Sequence, residues 1–178
     1  MATVNSYTSR VPTPDRTSLD EIVAVARELL ELDELTMQAV ADRVGVRAPS
    51  LYKRVQSRDE LVRLVAEATL RDVSRISGDL YAVAAAYRAF AHARPAAFRL
   101  VMSSSVDPQL AALASGPILR AAAELAPDHA LEAARTLTAW ANGFISMELS
   151  GGFNLDGSVD AAWHYGLDAL IEAISLKG

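Results

Sequence analysis

The sequence predicts an all-α fold: an N-terminal helix-turn-helix unit, then a larger helical part, about nine helices in all. Three observations predict it. Apolar residues recur at helical spacing along most of the chain, and no stretch alternates with the two-residue period of a strand. Capping serines, glycines and prolines interrupt that spacing at intervals of a helix length. The charge is unevenly placed: Thr36 to Arg58 carries five cations against the single acid Asp42, a net of +4 in a chain of net −5, which leaves −9 for the rest. A segment that collects cations in this way is reserved for a polyanion or an acidic partner.

Composition narrows the class. A chain of 178 residues is long enough to bury a core without staples. The lack of cysteine excludes disulfides, thiolate metal sites and a cysteine nucleophile. Much of the 51% apolar content is alanine, which favours helix. The first residues hold no apolar stretch of the signal-peptide kind, and no run approaches the ~20 apolar residues of a membrane helix. The expectation is a cytoplasmic protein.

The elements follow in order. Residues 1–16 are polar, with Pro12 and Pro14, and read as a flexible arm. Ser18 to Glu21 is a capping box, followed by Ile22, Val23, Ala26, Leu29 and Leu30 at helical spacing. The second helix starts at the N-cap Thr36, presents Val40, Ala41 and Val44 inward, and stops at Gly45, which accepts a left-handed conformation. The link between these helices is short and has no glycine, so the first is expected to pass almost directly into the second. A third short helix holds Pro49 in its first turn, with Leu51 and Val55 inward. Ser57 to Glu60 is a second capping box and opens a helix running from residue 58 to about 77. Further helices are expected over about 79–93, 95–104, 108–125, 128–149 and 158–175, divided by Pro95, Asp107-Pro108, Pro127-Asp128 and the Gly-rich stretch from Ser150 to Ser158. Residues 17–60 then form a helix-turn-helix domain and 61–178 a second helical domain.

Two short helices around a glycine turn cannot stand alone, and they are the sequence form of a helix-turn-helix. Its second helix enters the DNA major groove, so its outward side chains must be small, polar or cationic. In the third helix these are Arg47, Ala48, Pro49, Ser50, Tyr52, Lys53 and Arg54.

From Leu35 to Leu61 the chain resembles the DNA-binding domain of TetR-family transcriptional regulators. The matching features are Leu35-Thr36, Val40-Ala41 through Gly45-Val46, Leu51-Tyr52 with Val55, and Asp59-Glu60-Leu61. A weaker resemblance, to a TetR-type C-terminal domain named for a Trp-His-Gly motif, lies in Trp140 to Phe144, Met147 to Phe153 and Gly166 to Leu170; Asn142 stands where that motif has His.

The resemblance implies roles. The third helix reads base edges in double-stranded DNA, with Arg47 at guanine, Ala48 or Pro49 at a thymine methyl, and Ser50 beside them. Thr36 and Gln38 hold phosphate at the start of helix two. Tyr52 and Lys53 touch backbone or base edges, while Arg54 and Arg58 hold phosphates. A homodimer is implied, with Met147, Trp163, Leu167, Leu170 and Ile174 of the last two helices at its interface. A small-molecule effector site is implied in the second domain, with Tyr87, Phe90, His92, Phe98, Arg99, Met102, Trp140, Asn142 and Phe144 as lining. Repression released by the effector is the usual family mode.

Plainer readings stand beside these. The cations form a solvated face, the aromatics are core, and the apolar stripe of the last helices belongs to the chain's own interior. A helix-turn-helix can also bind a protein instead of DNA. Asp160, His164 and Asp168 share one helix face and are spaced for a metal, or are simply the polar side of an amphipathic helix. No P-loop, dinucleotide fingerprint, HExxH or nucleophile elbow is present, so neither an enzyme nor a cofactor is expected.

Overall fold

The computed structural model describes residues 17–103 and 107–177. The arm expected over residues 1–16 lies outside the described residues. Among the described residues there are ten α-helices, one 3-10 turn and no strand. The first four helices are α1 (Leu19–Glu31), α2 (Met37–Val44), α3 (Ala48–Tyr52) and α4 (Arg58–Ser74). They close one core, in which Ile22, Ala26, Val40, Leu51, Val55, Leu61 and Val65 are fully buried.

The start signals act as their chemistry dictates. Ser18 accepts a hydrogen bond from the Glu21 N–H at 3.1 Å, and Ser57 accepts one from Glu60 at 3.1 Å. The Glu60 carboxylate reaches back past the Ser57 cap and accepts from the Gln56 N–H at 2.6 Å, so the chain entering α4 is held at both residues. The link from α1 to α2 departs from expectation. Helix α1 ends at Glu31, and four residues in irregular backbone precede the Thr36 cap. Asp33 takes φ +58°, the left-handed turn a glycine would ordinarily supply, and its N–H bonds the Leu30 carbonyl at 3.2 Å. The first helix therefore does not pass directly into the second.

The remaining helices are α5 (Leu80–Ala93), α6 (Pro95–Ser103), α7 (Pro108–Ala114), α8 (Gly116–Leu125), α9 (Ala130–Leu149) and α10 (Val159–Ser175), with the 3-10 turn over Pro127–His129. The helix expected over 108–125 is two helices. Pro117 has no N–H to give the carbonyl four residues back, and its ring clashes there, so α7 stops at Ala114 and α8 restarts. A second core gathers Leu80, Phe98, Leu137, Ile145, Trp163 and Leu167.

Two helices reach from the first core toward the rest of the molecule. Leu61 and Val65 of α4 are in the first, while Thr69 and Leu70, one turn further on, are buried facing the other helices. On α6, Leu100 packs against the first core and Phe98 lies in the second. The N-terminus of α6 is held by α1: the two carboxylate oxygens of Glu31 accept from the Ala96 and Ala97 N–H groups, each at 2.9 Å. Beside it, Arg27 of α1 binds Asp72 of α4 at 2.6 Å.

Candidate nucleic-acid interface and internal cavity

The turn between α2 and α3 is built on Gly45, at φ +80°, whose N–H closes the end of α2. Leu51 and Val55 are fully buried and fix the roll of α3, which turns Pro49, Ser50 and Tyr52 outward. Helix α3 is only five residues long, so Lys53 and Arg54 follow it. The helical path still continues, since the Val55 N–H bonds the Leu51 carbonyl at 3.0 Å. Arg47 is the N-cap residue of α3, and its side chain makes no cap bond.

The predicted DNA contacts divide into two kinds. Arg47, Lys53 and Arg54 are exposed, and among the described residues none has an ion-pair partner. Ala48 is half-buried at the front of α3. Other residues have local work. Thr36 is exposed and accepts from the Ala39 N–H at 3.1 Å, which leaves its hydroxyl proton able to donate outward. Gln38 donates to Asp42 at 2.8 Å. Arg58 donates through Nε to the Leu35 carbonyl at 3.2 Å, so it ties the start of α4 to the link before α2.

A cavity of about 250 Å³ lies between α4 and the helices from α5 to α9. Of the residues expected to line it, Tyr87, Phe90, Phe98, Met102 and Asn142 do so. Four do not. His92 is exposed and sits 2.8 Å from Glu148, and Arg99 points to the surface. Trp140 and Phe144 are taken up by an aromatic cluster with Trp163, with ring centroids 4.7 Å apart for the two tryptophans. Walls the sequence reading missed come from Thr69 and Val73 of α4, Ala111 and Ala114 of α7, and Thr138 of α9. Thr138 precedes Asn142 by one helical turn, a spacing that could have pointed to it. The contribution of α7 followed from the break at Pro117, which was not anticipated.

Inside the cavity, Tyr87 donates its hydroxyl to Asn142 Oδ1 at 2.8 Å. Burial pushes the Tyr87 phenol up to about 12, so it is neutral at any physiological pH.

The interface residues expected on the last helices differ in burial. Trp163 and Leu167 are buried in the subunit's own core, and Leu170 and Ile174 pack on it; Met147 is exposed. Within the subunit, Trp163 and Leu167 serve the interior, while Leu170 and Ile174 keep part of their surface exposed. The outward face of α9 carries Ala139, Gly143 and Met147, and that of α10 carries Ala162, Tyr165 and Ala169. On α10, Asp168 accepts from the Tyr81 hydroxyl at 2.9 Å and His164 Nδ1 lies 2.8 Å from the Asp160 carbonyl oxygen. Among the described residues no three His, Cys, Asp or Glu side chains are grouped to hold a metal ion.

An exposed α3 behind a glycine turn, joined by shared helices to a bundle with an internal cavity, defines a helix-turn-helix DNA-binding regulator. Residues 22–65 match the family model for bacterial regulatory proteins of the tetR family, and residues 80–170 match that for the tetracyclin repressor-like C-terminal domain. The chain belongs to the TetR family of transcriptional regulators. An uncharacterized HTH-type transcriptional regulator of Mycobacterium tuberculosis is 29% identical over 162 residues, covering 79% of this chain and 74% of that protein. Among solved structures, a point variant of TetR from Acinetobacter baumannii AYE, in complex with minocycline, matches with a TM-score of 0.67 at 22% identity, over 92% of this chain and 99% of that one. A protein of unknown function from Rhodococcus sp. RHA1 matches with a TM-score of 0.74 at 19% identity, over 93% of this chain and 100% of that one. Among the described residues, no helix is long and apolar enough to cross a membrane.

Proposed function

We propose that the protein is a homodimeric repressor, held on a palindromic operator through two copies of α3 and released when a small molecule fills the cavity. The observation that carries this reading is that α4 and α6 serve two places at once. Both line the cavity, and both pack into the core that carries α3. A ligand that favours one placement of these helices over another necessarily biases the placement of α3. The Acinetobacter relative's complex with minocycline supports an effector of some kind.

Within this reading, Arg47 and Ser50 read bases, and Lys53, Arg54 and Thr36 hold phosphates. Arg58, tied to Leu35, positions the turn and contacts phosphate with its remaining N–H groups. The outward small-residue faces of α9 and α10 form the two-fold contact, since Ala139, Gly143 and Ala169 let the helices approach closely. That contact sets the two α3 helices roughly 34–36 Å apart, one turn of DNA.

The test is a gel shift against DNA flanking the protein's own gene over a salt series. Tight binding that falls steeply with salt, and is specific to one sequence, supports the reading. Absence of DNA binding at low salt would transfer the basic face to an acidic protein partner.

A further inference from the structure

The cavity's chemistry restricts what can fill it. Among the described residues its walls comprise seventeen, and none of these is an Asp, Glu, Lys, Arg or His. Twelve are apolar. Of the five polar ones, Thr69 and Ser115 give their hydroxyls to carbonyls of their own helical turns, at 2.8 and 3.0 Å. Tyr87 gives its hydroxyl to Asn142 Oδ1. The Asn142 carboxamide N–H₂ and the Thr138 hydroxyl remain, one helical turn apart on α9, with no hydrogen-bond partner among the described residues.

A charged ligand would enter this space with nothing to pair with. An unpaired carboxylate or ammonium in an apolar site costs several kcal/mol, enough to abolish useful affinity. Size sets a second limit. A cavity of about 150 Å³ lined by apolar side chains holds benzene. On that scale the 250 Å³ here takes roughly ten non-hydrogen atoms.

We propose that the effector is an uncharged, mainly hydrocarbon molecule of about ten non-hydrogen atoms, aromatic or short-chain, with one hydrogen-bond acceptor that meets Asn142 and Thr138. The proposal rests on the reading of this cavity as the effector site. It excludes carboxylates, phosphates and amines as ligands of the cavity.

The experiment is calorimetric titration of the full-length protein with four probes of matched size: acetophenone, cumene, benzoate and 1-phenylethylammonium. The expected result is binding of both neutral probes, with the two ions at least about a hundredfold weaker. Acetophenone should exceed cumene by about tenfold, and Asn142→Ala should erase that difference. Ala114→Leu, which fills space in the cavity, should weaken both neutral probes together; Val83→Phe serves if that variant melts too low. Ions that bind as well as the neutral probes overturn the proposal. So does failure of both neutral probes at millimolar concentration, or neutral binding indifferent to the cavity-filling variant. DNA affinity is measured separately with the same probes. Neutral binding without loss of DNA affinity overturns the effector reading and leaves the ligand class intact. DNA release by benzoate alone overturns the ligand class and leaves the effector reading intact.

Discussion

At the scale of single residues, the two kinds of cation on the basic face separate by what else they do. Arg54 is exposed, has no acidic partner among the described residues and sits past the end of α3, where the proposed reading gives it a phosphate. Arg54→Ala should weaken binding to every DNA sequence alike and reduce the slope of log affinity against log salt by about one. Replacing Arg47 or Ser50 should instead change operator preference, by about 1–3 kcal/mol at the base concerned. Competition gel shifts with operator variants distinguish the two; a uniform loss from both kinds of change would defeat the division. Gly166 is a second case. A Cβ there would stand 2.6 Å from the Trp140 ring, which already packs against Trp163 and Phe144 and would have to shift. Gly166→Ala gains about 1 kcal/mol in helix propensity but loses about 1–3 through overpacking. The expected net is a melting point a few degrees lower, at about 2–4 °C per kcal/mol.

At the scale of elements, the carboxylate of Glu31 spans from α1 to the first turn of α6. Glu31→Ala should cost about 1–2 kcal/mol, the range for losing a helix cap, and amide exchange at Ala96 and Ala97 should accelerate. Unchanged exchange there would show that the cap is not holding α6. A second strap joins α5, α9 and α10: Arg88 binds Glu148 at 2.6 Å and Asp160 at 2.7 Å, and its guanidinium lies 5.0 Å from the Trp163 ring centroid. The Arg88 hydrogen bonds, assisted by His92, hold the Glu148 carboxyl below the usual glutamate value of 4.5. A group whose folded-state value is depressed contributes its stability above the unfolded value and loses it as pH falls through the folded one. Stability should therefore decline on acidification below about pH 4.5, and Glu148→Gln should flatten that decline in melts run at successive pH values.

The elements also show what the sequence could and could not convey. Helices with local start and stop signals were legible, because Ser18, Thr36, Gly45 and Ser57 act on their own neighbours. The division of α7 from α8 is written in Gly116-Pro117, although apolar residues at helical spacing continue on both sides of it. The left-handed turn at Asp33 had no local mark, since glycine is the residue that usually announces it. The outward face of α3 was readable because solvent and DNA ask for the same residue types there. The cavity was readable only in part. Which aromatics face it depends on how α9 is rolled against α10, a long-range packing outcome that sent Trp140 and Phe144 to one side and Asn142 to the other.

At the scale of the molecule, a net of +4 over Thr36 to Arg58 against −9 elsewhere makes the protein strongly polarised. An acidic body turns the basic tip toward DNA and discourages binding through other faces. The two-fold contact proposed for α9 and α10 predicts that gel filtration of the purified chain gives a dimer, and that Gly143→Glu, on the outward face of α9, gives a monomer that still melts cooperatively. A monomeric wild-type protein would remove the reason for a palindromic operator. The double membership of α6 has a consequence for synthesis. The first four helices leave the ribosome before Leu100 and the amides of Ala96 and Ala97 have emerged to meet them. Until roughly thirty more residues emerge, the nascent DNA-reading unit lacks a piece of its own packing and Glu31 lacks the helix end it will later bind. A fragment cut after Ser74 keeps that newborn condition for good, so it should melt below the full chain and bind operator less firmly even where every DNA-facing side chain is retained.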